Sequence, residues 1–158
     1  MDEERAGNQG QQVKVVFPLD EGPAETMWAD DVGGGIYRLD NVPIFAYDVG
    51  LGDVFVGKSV DGDERLYFDR VVERSGDYTF RIIVLEDQWL DRRAEVEENL
   101  SRVRKFSSAE SSWGTDGFAF NVLGKRDIEE LESVLEEGAR RGLWEWELSA
   151  GPDQHLER

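Results

Sequence analysis

The sequence predicts an α+β protein with a β-rich N-terminal half and a C-terminal half that mixes strands with helices. Three observations lead to this fold class. Residues 13–76 contain short β-branched and aromatic runs separated by Gly, Pro, Asn and Asp. Residues 77–150 alternate such runs with two segments of helical periodicity. Aromatic residues make up 11% of the 158-residue chain, so a core can form although 34% of the residues are charged.

The N-terminal half divides into short strands joined by turn residues. The predicted strands cover residues 13–17, 25–32, 36–39, 54–60 and 65–73. Pro18 ends the first strand, and the three glycines at 33–35 allow a tight reversal after the second. The dipeptide Asp61-Gly62 predicts a type I′ hairpin turn, in which both central residues have positive φ. Residues 44–47 form a short apolar segment, and the whole pattern indicates a small curled sheet or barrel.

The C-terminal half changes its hydrophobic period twice. We predict strands at 78–85, 105–113, 118–123 and 143–148, and helices at 90–103 and between 127 and 142. Apolar residues at spacings of seven, four and three share one face of the first helix: Trp89, Val96, Leu100 and Val103. Asp127 and Glu130 form a capping pair for the second helix, which Gly142 ends. The order strand, helix, strand, strand, helix, strand is that of a ferredoxin-like βαββαβ unit.

The predicted organisation is therefore a flexible arm (1–12), a β-rich unit (13–76), a ferredoxin-like unit (77–150) packed on it, and a flexible tail (151–158). No apolar run approaches the roughly 20 residues that a membrane-spanning helix needs. The charged start at 1–5 has no signal-peptide core behind it. Cysteine is absent, which excludes disulfides and thiolate sites. We expect a soluble, cytoplasmic protein, and the sequence makes no prediction of its oligomeric state.

The net charge of −17 limits the kinds of partner that the protein can bind. A surface this negative repels phosphate backbones and anionic lipids, so we expect no binding to nucleic acid or to a membrane. Two interpretations of the charge stay open. The acids either form a docking surface for a basic protein partner or are a solvation adaptation to high salt. The low lysine content fits the second, since lysine occurs only at Lys14, Lys58, Lys105 and Lys125.

Several short segments of the first unit form a distinctive phrase: FPL at 17–19, ETMWA at 25–29, GIYRLDNVP at 35–43, FAY at 45–47 and GDV at 52–54. Together they resemble an uncharacterised prokaryotic family, the domain-of-unknown-function family numbered 4265. The resemblance extends with less specific features over most of 13–148. It implies a shared fold, and it supplies no catalytic residues.

Residue types that carry chemistry are sparse. The one histidine, His155, lies in the polar tail, where nothing holds it in place for acid–base work. The acids at 61–64 lack the ligand spacing of a calcium loop and read as a hairpin tip. The glycines at 33–35 lack the lysine and hydroxyl residue of a phosphate-binding loop. We therefore predict no catalytic residue, no metal site and no cofactor.

The strongest binding candidates combine aromatic side chains with one cation in the first unit. They are Trp28, Tyr37, Arg38, Phe45 and Tyr47, with Asp30 and Asp53 as acids that could pair with the arginine. The same aromatic residues are also what a small core requires. We predict a non-enzymatic binding or regulatory module that acts through protein–protein contacts.

Two alternatives belong to other functional classes. The first is a small hydrolase or lyase with its site between the units, which would need two facing carboxylates roughly 5–10 Å apart. The acids considered for it are Glu25, Asp30, Asp40 and Asp53. The second is a small-molecule-sensing module, by analogy with other ferredoxin-like sheets.

Overall fold

The computed structural model describes residues 10–114 and 116–153, which form a mixed α+β structure with two sheets. The first sheet is a closed barrel of five strands: β1 (Gln12–Phe17), β2 (Glu25–Gly33), β3 (Ile36–Leu39), β4 (Val54–Val60) and β5 (Asp63–Glu73). Successive strands pair antiparallel, and a short parallel pairing of β1 with β5 closes the barrel. The prediction of a curled sheet or barrel is confirmed as a barrel. β1 begins at Gln12, which we had assigned to the flexible arm.

The turns of the barrel follow the glycine pattern, with one correction. Gly33, Gly34 and Gly35 all have positive φ, as the predicted reversal between β2 and β3 requires. The type I′ turn predicted at Asp61-Gly62 is wrong. Gly62 has a φ of +80°, but Asp48 is the one non-glycine residue in the described chain with positive φ, so Asp61 has negative φ. The pairing of β4 with β5 has a register shift beside this turn, between Ser59 and Val60.

The second sheet contains β6 (Tyr78–Val84), β7 (Ser107–Trp113), β8 (Gly117–Val122) and β9 (Trp144–Ala150), in the order β7-β8-β6-β9. Its helices are α1 (Glu86–Asp91), α2 (Arg93–Arg104) and α3 (Ile128–Arg140). The single helix predicted at 90–103 is two helices, because the backbone leaves the helical conformation at Arg92. The predicted N-cap of α3 is confirmed, since the Asp127 carboxylate accepts a hydrogen bond from the amide of Glu130 at 3.0 Å.

Each sheet has its own hydrophobic cluster. One face of the second sheet packs under α2 and α3, where Phe80, Phe120, Leu131, Leu135 and Trp144 are fully buried. The barrel interior holds a smaller cluster, whose largest fully buried members are Phe17, Phe55, Leu39, Val15 and Val49. Side chains alternate across a strand, so the face of β6 that carries Thr79, Arg81 and Ile83 points away from the helices.

The connecting segment 40–53, between β3 and β4, joins the barrel to the face of the second sheet that points away from the helices. The amide of Asp48 donates to the carbonyl of Ser149 in β9 at 2.9 Å. Gly50 lies so close to Thr79 that an added Cβ would be 2.6 Å from the threonine hydroxyl. Only glycine allows this approach. The short apolar segment predicted at 44–47 is part of this irregular connection.

Residues outside the described ranges include His155 and most of the predicted arm and tail. Among the described helices, none combines the length and the apolar character that crossing a membrane would require.

Candidate functional site

Residues 44–46 are held in place by one carboxylate from the barrel. The side chain of Glu25, at the start of β2, accepts hydrogen bonds from the amides of Ile44, Phe45 and Ala46 at 2.7, 3.0 and 2.8 Å. Three donors on one carboxylate satisfy backbone groups that have no strand partner. The conformation of this stretch is therefore set by Glu25.

The second sheet holds the same stretch through a buried cation. The side chain of Arg81 is 7% exposed and donates to the carbonyl of Ala46 and, at 3.3 Å, to the carboxylate of Glu147. Its guanidinium carbon lies 4.5 Å from the centre of the Tyr47 ring, a cation–π contact. The Tyr47 hydroxyl donates to Glu147 at 2.7 Å. This hydrogen bond, with burial adding to it, raises the pKa of Tyr47.

Phe45 and Tyr47 are 52% and 58% exposed, although both are large aromatic residues. The Phe45 ring lies beside the Trp113 ring at the end of β7, at a centroid distance of 5.7 Å. Beside the two rings is a cleft of about 540 Å³, which we call the acidic aromatic cleft. It is lined by Pro18, Leu19, Asp20, Glu21, Phe45, Tyr47 and Asp48. This lining contains three carboxylates and no basic side chain.

Three of the other predicted binding residues lie on the outer surface of the barrel. Trp28 is 43% exposed, with the Lys14 ammonium 5.2 Å from its ring centre. Arg38 points outward, as its position between Tyr37 and Leu39 predicts, and it faces Asp30 across the β2–β3 pair. Among the described residues the Arg38 side chain forms no ion pair, and Asp30 instead accepts from the Gln12 amide at 2.8 Å.

Tyr37 and Asp53 point into the fold. Tyr37 stacks on Phe55 in the barrel, and its pKa is raised by burial and by the nearby Asp31 charge. Asp53 is 3% exposed and accepts from the amides of Gly50 and Ser75, both at 2.8 Å. Arg74 donates to the same carboxylate at 3.1 Å. The Asp53 oxygens are thus occupied by other groups of the chain, and Asp53, one of the two acids considered as partners of Arg38, does not pair with it. The seven predicted residues do not form one face.

The four acids considered for acid–base chemistry all accept hydrogen bonds from other groups of the chain. Glu25 and Asp53 are occupied by backbone amides, as described above. Asp30 and Asp40 both accept from the side-chain amide of Gln12, at the barrel surface. Within the part of the chain that the structure describes, no group of three or more Asp, Glu, His or Cys side chains is placed to hold a metal ion.

Sequence reasoning identified Phe45 and Tyr47 and missed their surroundings. Asp20 and Glu21 follow Pro18 in the sequence, and nothing local relates them to residue 45. Arg81 had a detectable signal, because it is a lone cation in an apolar strand at the centre of a sheet. Such a residue must have buried partners. Glu147 also had a detectable signal. The alternation of 143–148 places its side chain on the same face as that of Glu145, opposite the two tryptophans.

The comparisons with known proteins agree with this fold. The chain resembles the crystal structure of a hypothetical protein from Neisseria gonorrhoeae, with a TM-score of 0.72 at 19% sequence identity. The match covers 90% of this chain and 96% of that one, and at this identity it shows the fold alone. No curated protein matches the sequence. The model of the family described as Domain of unknown function (DUF4265) matches residues 25–146, and the chain therefore belongs to this family.

Proposed function

We propose that this protein is a non-enzymatic binding module that recognises a basic segment of a partner protein at the acidic aromatic cleft. The observation that carries the proposal is the composition of the lining. Two exposed aromatic rings stand beside three carboxylates, and none of the described residues that line the cleft is basic.

This combination suits an arginine or lysine side chain. The face of an aromatic ring attracts a cation, and a carboxylate beside it supplies a charge-assisted hydrogen bond. The contact between Arg81 and Tyr47 is an example of the same chemistry within the fold. Pro18 and Leu19 offer apolar surface to the aliphatic part of such a side chain.

The net charge of −17 supports a basic partner as well. A strongly negative surface attracts cations over roughly a Debye length, which raises association rates and makes them dependent on salt. The same charge excludes nucleic acid and anionic membranes from the set of partners that we propose. We also propose a cytoplasmic location, where basic protein partners are abundant.

We infer a ferredoxin-like unit at 77–150, beside a separate β-rich unit at 13–76. The strand order β7-β8-β6-β9 supports it, because the central pair consists of the first and third strands of that half. The separate hydrophobic clusters support the division into two units.

The direct test is calorimetric titration with a decapeptide of alternating Arg and Ala, compared with one of alternating Glu and Ala. We expect binding of the basic peptide alone, weakening steeply between about 0.05 M and about 0.5 M NaCl. The double variant Asp20→Asn/Glu21→Gln should bind about tenfold more weakly, since it removes two charge-assisted contacts.

A matched control distinguishes the cleft from the overall charge. The double variant Asp61→Asn/Glu64→Gln removes the same two charges at an exposed hairpin, and its affinity should stay within about twofold of the unmodified protein. Equal losses in the two double variants would contradict the proposal and favour solvation adaptation. Phe45→Leu keeps apolar bulk and removes the aromatic face, so it should weaken binding by about threefold.

A further inference from the structure

A second cleft lies on the opposite side of the second sheet, between α2 and β7. Its volume is about 390 Å³, within the usual range for small-molecule sites. We call it the α2–β7 cleft. Its floor is apolar and is formed by Val84, Leu100 and Phe118, all of which are buried. Leu90, which is 77% exposed, stands at its margin.

The cleft exists because the helices do not cover all four strands. α2 and α3 pack against each other, and α3 also contacts the edge strand β9. The opposite edge strand, β7, presents the polar side chains of Glu110 and Ser112 to the cleft. Arg104 of α2 reaches across to Glu110, and the rest of the space between α2 and β7 forms the cleft.

Three hydrogen-bond donors line this cleft with unused capacity. The indole N–H of Trp89 is buried and has no hydrogen-bond partner in the described chain. Leaving a buried donor unsatisfied costs stability, so such a group calls for an explanation. An acceptor supplied from outside the chain would provide one.

Arg93 and Arg104 are the other two donors. Each is anchored through Nε, to Glu97 at 3.1 Å and to Glu110 at 3.3 Å. Their guanidinium carbons lie 5.8 Å from the Trp89 ring centre and 4.7 Å from that of Phe118. The terminal amino groups of both arginines make no hydrogen bond to the described residues. Each guanidinium is thus oriented by the chain and still able to bind an oxygen atom.

We propose that the α2–β7 cleft binds a small amphipathic anion, of which a medium-chain carboxylate is the simplest example. The apolar tail would cover the floor, and the carboxylate would accept from the arginine amino groups and the indole N–H. Neither the site nor the ligand class depends on the basic partner proposed above, because the two clefts share no residue.

The probes are octanoate, octanol and octylammonium, which share one tail and differ in charge. NMR titration of the ¹⁵N-labelled protein follows the indole resonance of Trp89, assigned by its loss in Trp89→Phe. We expect octanoate to shift this resonance and to bind about tenfold more tightly than octanol, with octylammonium weakest. Equal affinity for octanoate and octanol, or no shift of the Trp89 resonance, would overturn the proposal.

Two variants and two controls sharpen the test. Arg104→Gln should weaken octanoate about tenfold and leave octanol unchanged, whereas Arg70→Gln, in strand β5 of the barrel, should affect neither. Trp89→Phe should weaken octanoate about fivefold; its N–H has no partner to lose, so any fall in Tm reflects only the smaller ring against the core cluster. Unchanged octanoate affinity in Arg104→Gln and Trp89→Phe would contradict the site. Asp20→Asn/Glu21→Gln should bind octanoate normally, so the two proposals can fail separately.

Discussion

The barrel and the second sheet are stabilised in different ways. The second sheet buries one apolar face under helices, and its cluster contains the largest fully buried side chain of the described chain, Trp144. The barrel has a smaller cluster and depends more on polar contacts of the connecting segment 40–53. There Glu25 and Asp53 each accept two or more backbone amides.

This difference shows how an irregular segment can be as well defined as a helix. Residues 44–46 lack a strand partner, so their amides would be unsatisfied without the Glu25 carboxylate. Arg81 satisfies the carbonyl of Ala46 from the other side. These polar contacts fix the backbone between Phe45 and Tyr47. They therefore keep both rings at the surface, where the candidate site lies.

The largest effect is expected in the apolar region. Trp144→Ala should lower the free energy of unfolding by about 4 kcal/mol, because it leaves a cavity and removes a buried indole. The indole N–H donates to the Leu135 carbonyl at 2.9 Å, and the ring packs directly on Gly138. Urea unfolding followed by circular dichroism measures the change. Trp146→Phe, at a half-buried position, is the control and should cost under about 1 kcal/mol. Similar values for both variants would contradict this picture.

A somewhat smaller effect is expected where polar contacts dominate. Asp53→Ala should cost about 3 kcal/mol, since it removes a buried ion-pair partner of Arg74 and the acceptor of two amides. The control is Asp69→Ala, because Asp69 pairs with Arg70 at a position where both side chains are about a third exposed. Asp69→Ala should lower the free energy of unfolding by less than about 1 kcal/mol. An equally small loss of unfolding free energy in Asp53→Ala and Asp69→Ala would contradict the view that polar contacts stabilise the barrel.

The smallest effect concerns the exposed hairpin between β4 and β5 of the barrel. Hydrogen bonds from Arg65 and Tyr67 lower the pKa of Asp63. A carboxyl whose folded pKa is lowered stabilises the fold above its unfolded pKa, about 3.9, and this contribution is lost as pH falls through the folded value. The difference in Tm between the unmodified protein and Asp63→Asn should therefore be constant from pH 7 to pH 5 and shrink below about pH 4. A difference that grows on acidification would show that the sign is wrong.

The local elements were predictable because their signals are contained in short stretches of sequence. The glycines at 33–35, the capping residue Asp127 and the alternation around Trp144 each specify a nearby backbone conformation. The break between α1 and α2 was not predictable in the same way. Arg92 has ordinary helix propensity, and its side chain donates to Gln88, Glu95 and the Arg141 carbonyl. The last of these comes from a distant part of the chain.

The sequence by itself determined the α+β class, the existence of most strands and helices, the acidic surface and the family resemblance. Periodicity, capping and composition act over a few residues, and so they can be read directly. Only the tertiary structure decided that β1 pairs with β5 to close the barrel, and that Asp53 is buried while Phe45 is exposed. It also placed Asp20 and Glu21 beside the two aromatic rings, and it brought Trp89 and Arg104 to one cleft. These juxtapositions depend on contacts between residues far apart in the chain, which no local pattern specifies.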